Sequence, residues 1–252
     1  METVSIILNS YRRTRWFPEQ LEAIKKQTHP IQEIFVWQNK SDAEPIAEHL
    51  KNEVIFIDCN QNLGVWARFS LALNCRSDYI CIFDDDTIPG SKWIQNCIDT
   101  YKTNPGLLGT VGVIFGDKYY SWKKVERLGW CKPNEKTEKV DIVGHCWFFH
   151  RDVLPIFWRE MPPKGYIPIV GEDIHFAKMI QKYTDGGVYV PPHPKNDIEM
   201  WGSIKGENYG HSNEAISMNL YNVNGTQMSA GQMMGMELCR AVDEGFKLIK
   251  EP

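Results

Sequence analysis

No apolar run in the sequence is long enough for a membrane span or the core of a secretion signal; the first, Val4-Ser5-Ile6-Ile7-Leu8, is far too short for either. A dense basic tract is also missing, and the net charge of −4 argues against non-specific nucleic-acid binding. CxxC spacing is absent. The seven cysteines, at 59, 75, 81, 97, 131, 146 and 239, are odd in number and scattered. They suit reduced, partly buried thiols better than a disulfide framework or a zinc knuckle. Neither GxGxxG nor a Walker A sequence follows the first strand candidate, so a nucleotide here must be held by something other than a glycine-rich phosphate loop. With no internal repeat and no clean linker, the chain reads as one domain, soluble and not secreted.

What is present is an alternation of strand and helix. An apolar fraction of 42% in 252 residues supports a core of the size a single large α/β domain requires. Strand-like runs at 3–8, 33–38, 54–57 and 79–83 are separated by helical patterns at 16–26, 42–50 and 66–73. The repeat recurs about every 25 residues, which predicts parallel βαβ units. Past Pro89 the rhythm changes. A helix is expected over 93–101, a strand over 107–115, an irregular or hairpin excursion over 117–139 and a strand-rich stretch over 140–150. Helices follow over 153–158 and from Glu172, then a strand over 186–190 and closing helices over 216–223 and 229–249.

The chain is organised around Tyr79-Ile80-Cys81-Ile82-Phe83, which runs directly into Asp84-Asp85-Asp86. Three carboxylates cannot sit inside a buried strand uncompensated. They are expected at its C-terminal end, where open α/β sheets bind ligands. A hard divalent cation would relieve their repulsion and leave positions open for phosphate oxygens. A solvated turn after the strand would account for the same spacing.

The motifs, taken together, resemble nucleotide-sugar glycosyltransferases of the GT-A fold, above all the inverting family 2 pattern. The opening strand and loop to Arg13, the Gln27-Thr28-His29-Pro30 helix end, Asn60-Gln61-Asn62-Leu63-Gly64 with Ala67-Arg68, Phe83-Asp84-Asp85-Asp86 and Gly171-Glu172-Asp173 occur in the family's order. Arg68-Phe69, the triple aspartate, the stretch from Val143 to His150 and Gly171-Glu172-Asp173-Ile174 also resemble the retaining exostosin-like transferases. Both imply a Rossmann-like, mostly parallel sheet flanked by helices. Residues 1–90 would form the nucleotide-binding half, 91–190 the acceptor half and 191–252 a C-terminal lid with helices.

The resemblance implies a cytoplasmic enzyme, or one peripheral to a membrane carrying its acceptor. It would use Mn²⁺ or Mg²⁺ to transfer a sugar from a nucleoside diphosphate sugar, UDP-sugars favoured, to a hydroxyl of a glycan or glycoconjugate. Asp86 would bind the cation, with Asp84 or Asp85 reaching it or the donor ribose. Ser10, Tyr11 and Asn39 would meet the base, although the family often has an acid where Asn39 stands. Arg68 would pair with the nucleotide or with the acids, or lie on the surface. Asp173 is expected as the catalytic base, with Glu172 in reserve, unless Asp173 only caps its helix. His211, with His193 as rival, is a candidate third metal ligand. His145 and His150 read as core or cleft residues.

The aromatic loops 161–169 and 200–209 suit sugar stacking or ordinary packing, and 201–209 reads as a lid or a surface loop. A carbohydrate- or nucleotide-binding module without turnover, and a nucleotidyltransferase, are the other classes. The intact acids speak against the first. The lack of a glycine- and lysine-rich first loop speaks against the second.

Overall fold

The computed structural model describes residues 2–121, 123–162, 165 and 167–250, and of Glu207 the backbone alone. Tyr166, part of the first aromatic loop, lies outside the described residues. The first half runs β1 (Val4–Ser10), α1 (Phe17–Lys25), β2 (Glu33–Gln38), α2 (Glu48–Lys51), β3 (Ile55–Asp58), α3 (Ala67–Leu71), β4 (Tyr79–Phe83) and α4 (Trp93–Thr103). Then come β5 (Gly106–Leu108), β6 (Val111–Ile114), β7 (Glu126–Gly129), β8 (Glu138–Lys139), β9 (Ile142–Gly144), β10 (Cys146–His150), α5 (Leu154–Phe157) and α6 (Glu172–Tyr183). The chain closes with β11 (Gly187–Val190), α7 (Gly206–Gly210), β12 (Leu220–Val223), β13 (Thr226–Ser229) and α8 (Ala230–Asp243).

The main sheet has the order β3-β2-β1-β4-β10-β5-β11-β8. β1 pairs in parallel with β2 and β4, and β2 with β3, as the alternating pattern predicts. β10 enters antiparallel between β4 and β5, and β8 closes the far edge antiparallel to β11. Period-two side-chain alternation builds the core on both faces. Ile6, Leu8, Cys81, Phe83 and Phe148 point to the side that α1 and α4 cover. Ile7, Ile80, Ile82, Trp147 and Phe149 point to the other side, where Phe69, Phe157 and Phe176 pack. Cys81 and Cys146 meet in this core with sulfurs 3.4 Å apart, and all seven cysteines are free thiols.

Three local expectations are corrected. The run 107–115 is two strands rather than one: the chain leaves the main sheet after Leu108 and enters a second, antiparallel sheet, β7-β6-β9, at Val111. The 42–50 helix is only α2, starting after Ala47, because the Ser41 hydroxyl binds the Tyr11 carbonyl and the Ala43 amide and holds that stretch as bends. Of the 216–223 helix only a 3-10 turn at Ile216–Met218 forms, and Leu220–Val223 is instead the first strand of the β12–β13 hairpin. Asn224 (φ 51°) and Gly225 (φ 84°) form its turn, and Asn-Gly suits such a left-handed pair.

Candidate functional site

β4 ends at Phe83, and the three aspartates follow at the C-terminal end of the parallel strands. Their backbone is fixed from three sides. Asn9 Nδ2 donates to the Phe83 carbonyl (2.9 Å). Gln20, a buried polar residue on the apolar face of α1, donates through Nε2 to the carbonyls of Asp84 (2.7 Å) and Thr87 (2.8 Å). The third tie is His145, whose carbonyl accepts from the Asp84 amide (3.0 Å) and the Thr87 hydroxyl (3.1 Å). His145 sits where the chain steps from β9 in the second sheet to β10 in the first, and takes φ 62° to do so. Left-handed backbone is uncommon outside glycine, and such conformations gather at functional sites.

The step places the His145 ring among the acids. Asp84, Asp86 and His145 offer ligand atoms within 4.8 Å of one another, and among the described residues they are the group with metal-ligand geometry. Asp86 is 3% exposed, and its Oδ1 lies 3.4 Å from His145 Nδ1. Burial opposes charge on the imidazole, but Asp86 and Asp84 outweigh it and raise the His145 pKa. Burial likewise works against the Asp86 carboxylate. His145 and Arg13 overcome it and hold the group well below the usual range.

Two arginines straddle the acids. Arg13 contacts Asp85 through Nη2 (2.5 Å) and Asp86 through Nη1 (2.6 Å), with Nε on Asp85 at 2.8 Å. Burial nevertheless dominates at Asp85 and raises its pKa. Arg68 is buried over the Trp147 ring (4.4 Å), bonded to Asp84 and, through Nη2, to Glu172 Oε1 at 2.8 Å. Arg68 is therefore no surface residue; it ties the triple acid to the start of α6.

Glu172 and Asp173 occupy the first turn of α6, as expected. Asp173 Oδ1 accepts from the Ile174 amide (2.8 Å). A helix N-terminus favours a carboxylate, yet burial outweighs it here and pushes Asp173 up to about 6. Burial pushes Glu172 to about 8 against the pull of Arg68, with the Asp173 charge adding to the rise. One guanidinium, Arg68, thus stands among three carboxyl groups, and both acids of α6 are held above their ordinary pKa range.

Ser10, Tyr11 and Asn39 gather at the ends of β1 and β2. The buried Ser10 hydroxyl finds no partner among the described residues. The Asn39 side chain is committed to the 62–64 turn: Oδ1 accepts from the Leu63 amide and Trp37 Nε1 (both 3.1 Å), and Nδ2 donates to Gly64 O. His211 lies against the Trp130 ring at 5.2 Å, and the His145 ring contacts the same indole at 5.3 Å. The structure thus gathers His145, not His211, with Asp84 and Asp86. His193 is fully buried and satisfied, with Nδ1 on Pro191 O (2.8 Å) and Nε2 accepting from the Gly202 amide (3.2 Å). Burial lowers it to about 4.

The end of the 201–209 segment lies beside the acids, with Arg13 Nη1 donating to the Tyr209 carbonyl (3.4 Å). α7 crosses Trp130 so closely that a Cβ on Gly206 would overlap the indole, and one on Gly210 would come 3.5 Å from Asp86 Oδ2. Tyr209 stacks on Trp16 at 3.9 Å and donates to Glu19 (2.5 Å).

The chain is similar to known proteins in sequence and in fold. A 26% identity over 121 residues links the chain to a glucosyl-dolichyl phosphate glucuronosyltransferase of Haloferax volcanii, covering 45% of this chain and 39% of that one. Protein CgeD of Bacillus subtilis is 27% identical over 178 residues, 60% of this chain and 38% of its own. The chain thus spans about two fifths of the length of these curated relatives. The crystal structure of S. aureus TarS 1–349 superposes with a TM-score of 0.53 at 15% identity, covering 75% of this chain and 58% of that one, a likeness of fold. The model of "Glycosyl transferase family 2" matches residues 5–157. That match takes in the opening strand, the Asn39 turn, Arg68, the triple aspartate and His145, more than half of the 252 residues, and the chain belongs to glycosyl transferase family 2.

Proposed function

We propose that the protein is a divalent-cation-dependent glycosyltransferase that moves a sugar from a nucleoside diphosphate sugar, a UDP-sugar by preference, to a hydroxyl of a glycan or glycoconjugate with inversion. The observation that carries the reading is the convergence of Asp84, Asp86 and His145 at the end of β4, joined through Arg68 to the helix that bears Asp173. The two carboxylates suit Mn²⁺ or Mg²⁺, and a nitrogen donor beside them favours Mn²⁺ of the two. The charge balance suits a cation too: among the described residues, the carboxyl groups of Asp84, Asp85, Asp86, Glu172 and Asp173 outnumber the cationic partners Arg13 and Arg68 and the His145 imidazole on Asp86. When bound, a divalent ion supplies positive charge to a departing diphosphate.

The chain's own residues have distinct tasks. Arg68 fixes the orientation of Asp84 and keeps water from the back of the site. Ser10 and Tyr11, with the backbone at Asn39, border the place for the base, and the unpartnered Ser10 hydroxyl is available to it. Residues 1–90 serve as the donor half and 91–190 as the acceptor half, with 191–252 completing lid and wall. Asp173 accepts the proton of the acceptor hydroxyl as the new carbon–oxygen bond forms and the bond to phosphate breaks. At about 6 it is ionised at neutral pH and more basic than an ordinary aspartate.

The test is a screen of UDP-, GDP- and TDP-sugars for Mn²⁺-dependent nucleotide release. Release is expected with one of them, lost in Asp86→Ala, with Asp173→Asn folded but unable to transfer. Release undiminished by exhaustive chelation would remove the cation from the mechanism. Transfer by Asp173→Asn at the wild-type rate would remove the base.

A further inference from the structure

Residues 191–252 matched no family motif, yet part of them builds a cleft of about 990 Å³ beside the start of α6. One wall is α8. Gly231, Gln232, Gly235, Met236, Cys239 and Arg240 recur at the spacing of one helical face and line the cleft. Met233, Leu238 and Ala241 are buried on the other side of the helix. The opposite wall carries Tyr119 and Tyr120, and the β12–β13 hairpin adds Val223 and Met228.

Three observations give this cleft a use. Gly235 sits mid-helix, where glycine is about 1 kcal/mol worse than alanine. Among the described residues a Cβ there would meet only Tyr120 Cβ, at an ordinary 3.4 Å. Packing does not demand glycine at 235; its effect is to leave the floor of the cleft bare. The cleft also borders the turn that leads into α6, two residues before the candidate base. Glu237, 6% exposed and lining it, packs against Gly171, where an added Cβ would come within 2.9 Å of Glu237 Cγ. Burial raises the pKa of the Tyr120 phenol against the pull of Arg127, with the Asp173 carboxylate adding a smaller push in the same direction as burial. The wall chemistry is the third observation. Ile167, Val223, Met228 and Met236 are apolar, and methionine adapts to irregular apolar shapes. The one carboxylate and one guanidinium in the lining, Glu237 and Arg240, pair with each other.

We propose that this cleft seats an apolar aglycone, alkyl or aryl, of the acceptor, and so turns the acceptor's hydroxyl-bearing end toward Asp173. The assignment of that end as acceptor rests on the transferase reading; the class of group bound rests on the walls themselves. A lipid-borne chain and an aromatic ring share the required chemistry.

The full chain without donor is titrated with n-octyl β-D-glucoside below its micelle concentration, phenyl β-D-glucoside and methyl β-D-glucoside, followed by calorimetry or ligand-observed NMR. At least one of the first two is expected to bind ten or more times tighter than the methyl glycoside, and which one separates lipid from aryl acceptors. Gly235→Leu, which fills the floor while improving helix propensity, should abolish that preference and leave Mn²⁺ binding unchanged. Met236→Glu, a charge placed at a side chain already 52% exposed, should do the same should the leucine variant fail to fold. Equal binding of all three glycosides, or a preference untouched in a folded variant, overturns the proposal. Nucleotide release without apolar preference overturns the cleft assignment alone. Apolar binding without release of any nucleotide keeps the cleft and overturns the transferase reading.

Discussion

Glu172→Gln should make the protein more stable at alkaline pH and change little at pH 5. Glu172 is buried beside Asp173 and shares Arg68 with Asp84, so burial carries its pKa from 4.5 to about 8. A carboxyl whose folded pKa lies above its unfolded one contributes stability that is complete below the unfolded value. That stability declines through the interval and is lost above the folded pKa. Each unit is worth about 1.4 kcal/mol, so the wild type should lose on the order of 4 kcal/mol between pH 4.5 and 8 through this group alone. Asp173, raised from 3.8 to about 6, adds a decline of the same sign over a lower window. Glutamine keeps an acceptor for Arg68 Nη2 and carries no charge at any pH. The variant should therefore gain about 2–4 kcal/mol over wild type at pH 9, since its lost contact with a charged partner offsets part of the relief. At about 2–4 °C per kcal/mol for a chain of this size, that is a rise of about 4–16 °C in Tm. Thermal and urea unfolding in EDTA at pH 5, 7 and 9 measure it. Destabilisation of Glu172→Gln by a similar amount at pH 5 and pH 9 would mean that Arg68 keeps Glu172 ionised throughout, and the charge accounting around α6 would be wrong.

Arg13→Met leaves Asp85 and Asp86 without their shared cation, and should cost about 3–5 kcal/mol in EDTA, with much of the loss restored by Mn²⁺; an equal loss in both buffers would separate Arg13 from the cation site. His145→Ala should weaken Mn²⁺ at least tenfold by calorimetry, and unchanged affinity would leave only the carboxylates as ligands. The rate of transfer should climb with pH through about 6 and then level as Asp173 ionises; a profile flat from pH 5 to 8 would assign the proton to another group. Phe148, fully buried against Tyr79 with ring centroids 5.1 Å apart, should cost about 3–5 kcal/mol on truncation to alanine, read as a shift in the urea midpoint at constant slope.

The parts of the site that lie along one element were legible, and of the parts assembled between elements only the pairing of Arg68 with the acids was. The strand that delivers Asp84, Asp85 and Asp86 announces itself by five strand-forming residues and then charge. Glu172 and Asp173 follow a glycine and open a helical pattern. Gln20 carried a signal that could have been used: it interrupts the apolar face formed by Phe17, Leu21 and Ile24, and such a residue is commonly there to satisfy buried backbone. Asn224-Gly225 between two short apolar runs was likewise a hairpin signal, outweighed by the Met-rich sequence around it.

Arg13 and His145 mark where reading along the chain stops. Arg12, Arg13 and Arg15 are chemically alike, yet Arg12 lies on the Tyr11 ring and Arg15 pairs with Glu214, while only Arg13 turns toward the acids. The loop's course decides that, and the course depends on Asp85 and Asp86, over 70 residues away. His145 is decided in the same way. Its neighbours on both sides are strands, but Gly144 pairs with Val111 and Cys146 with Phe83, in different sheets. A single residue must absorb the change of sheet, and its carbonyl is then captured by the Asp84 amide and the Thr87 hydroxyl. The ring is brought to Asp86 by that crossing rather than by any local pattern, and the same crossing is what turns a strand that merely ends in acids into a site with metal-ligand geometry.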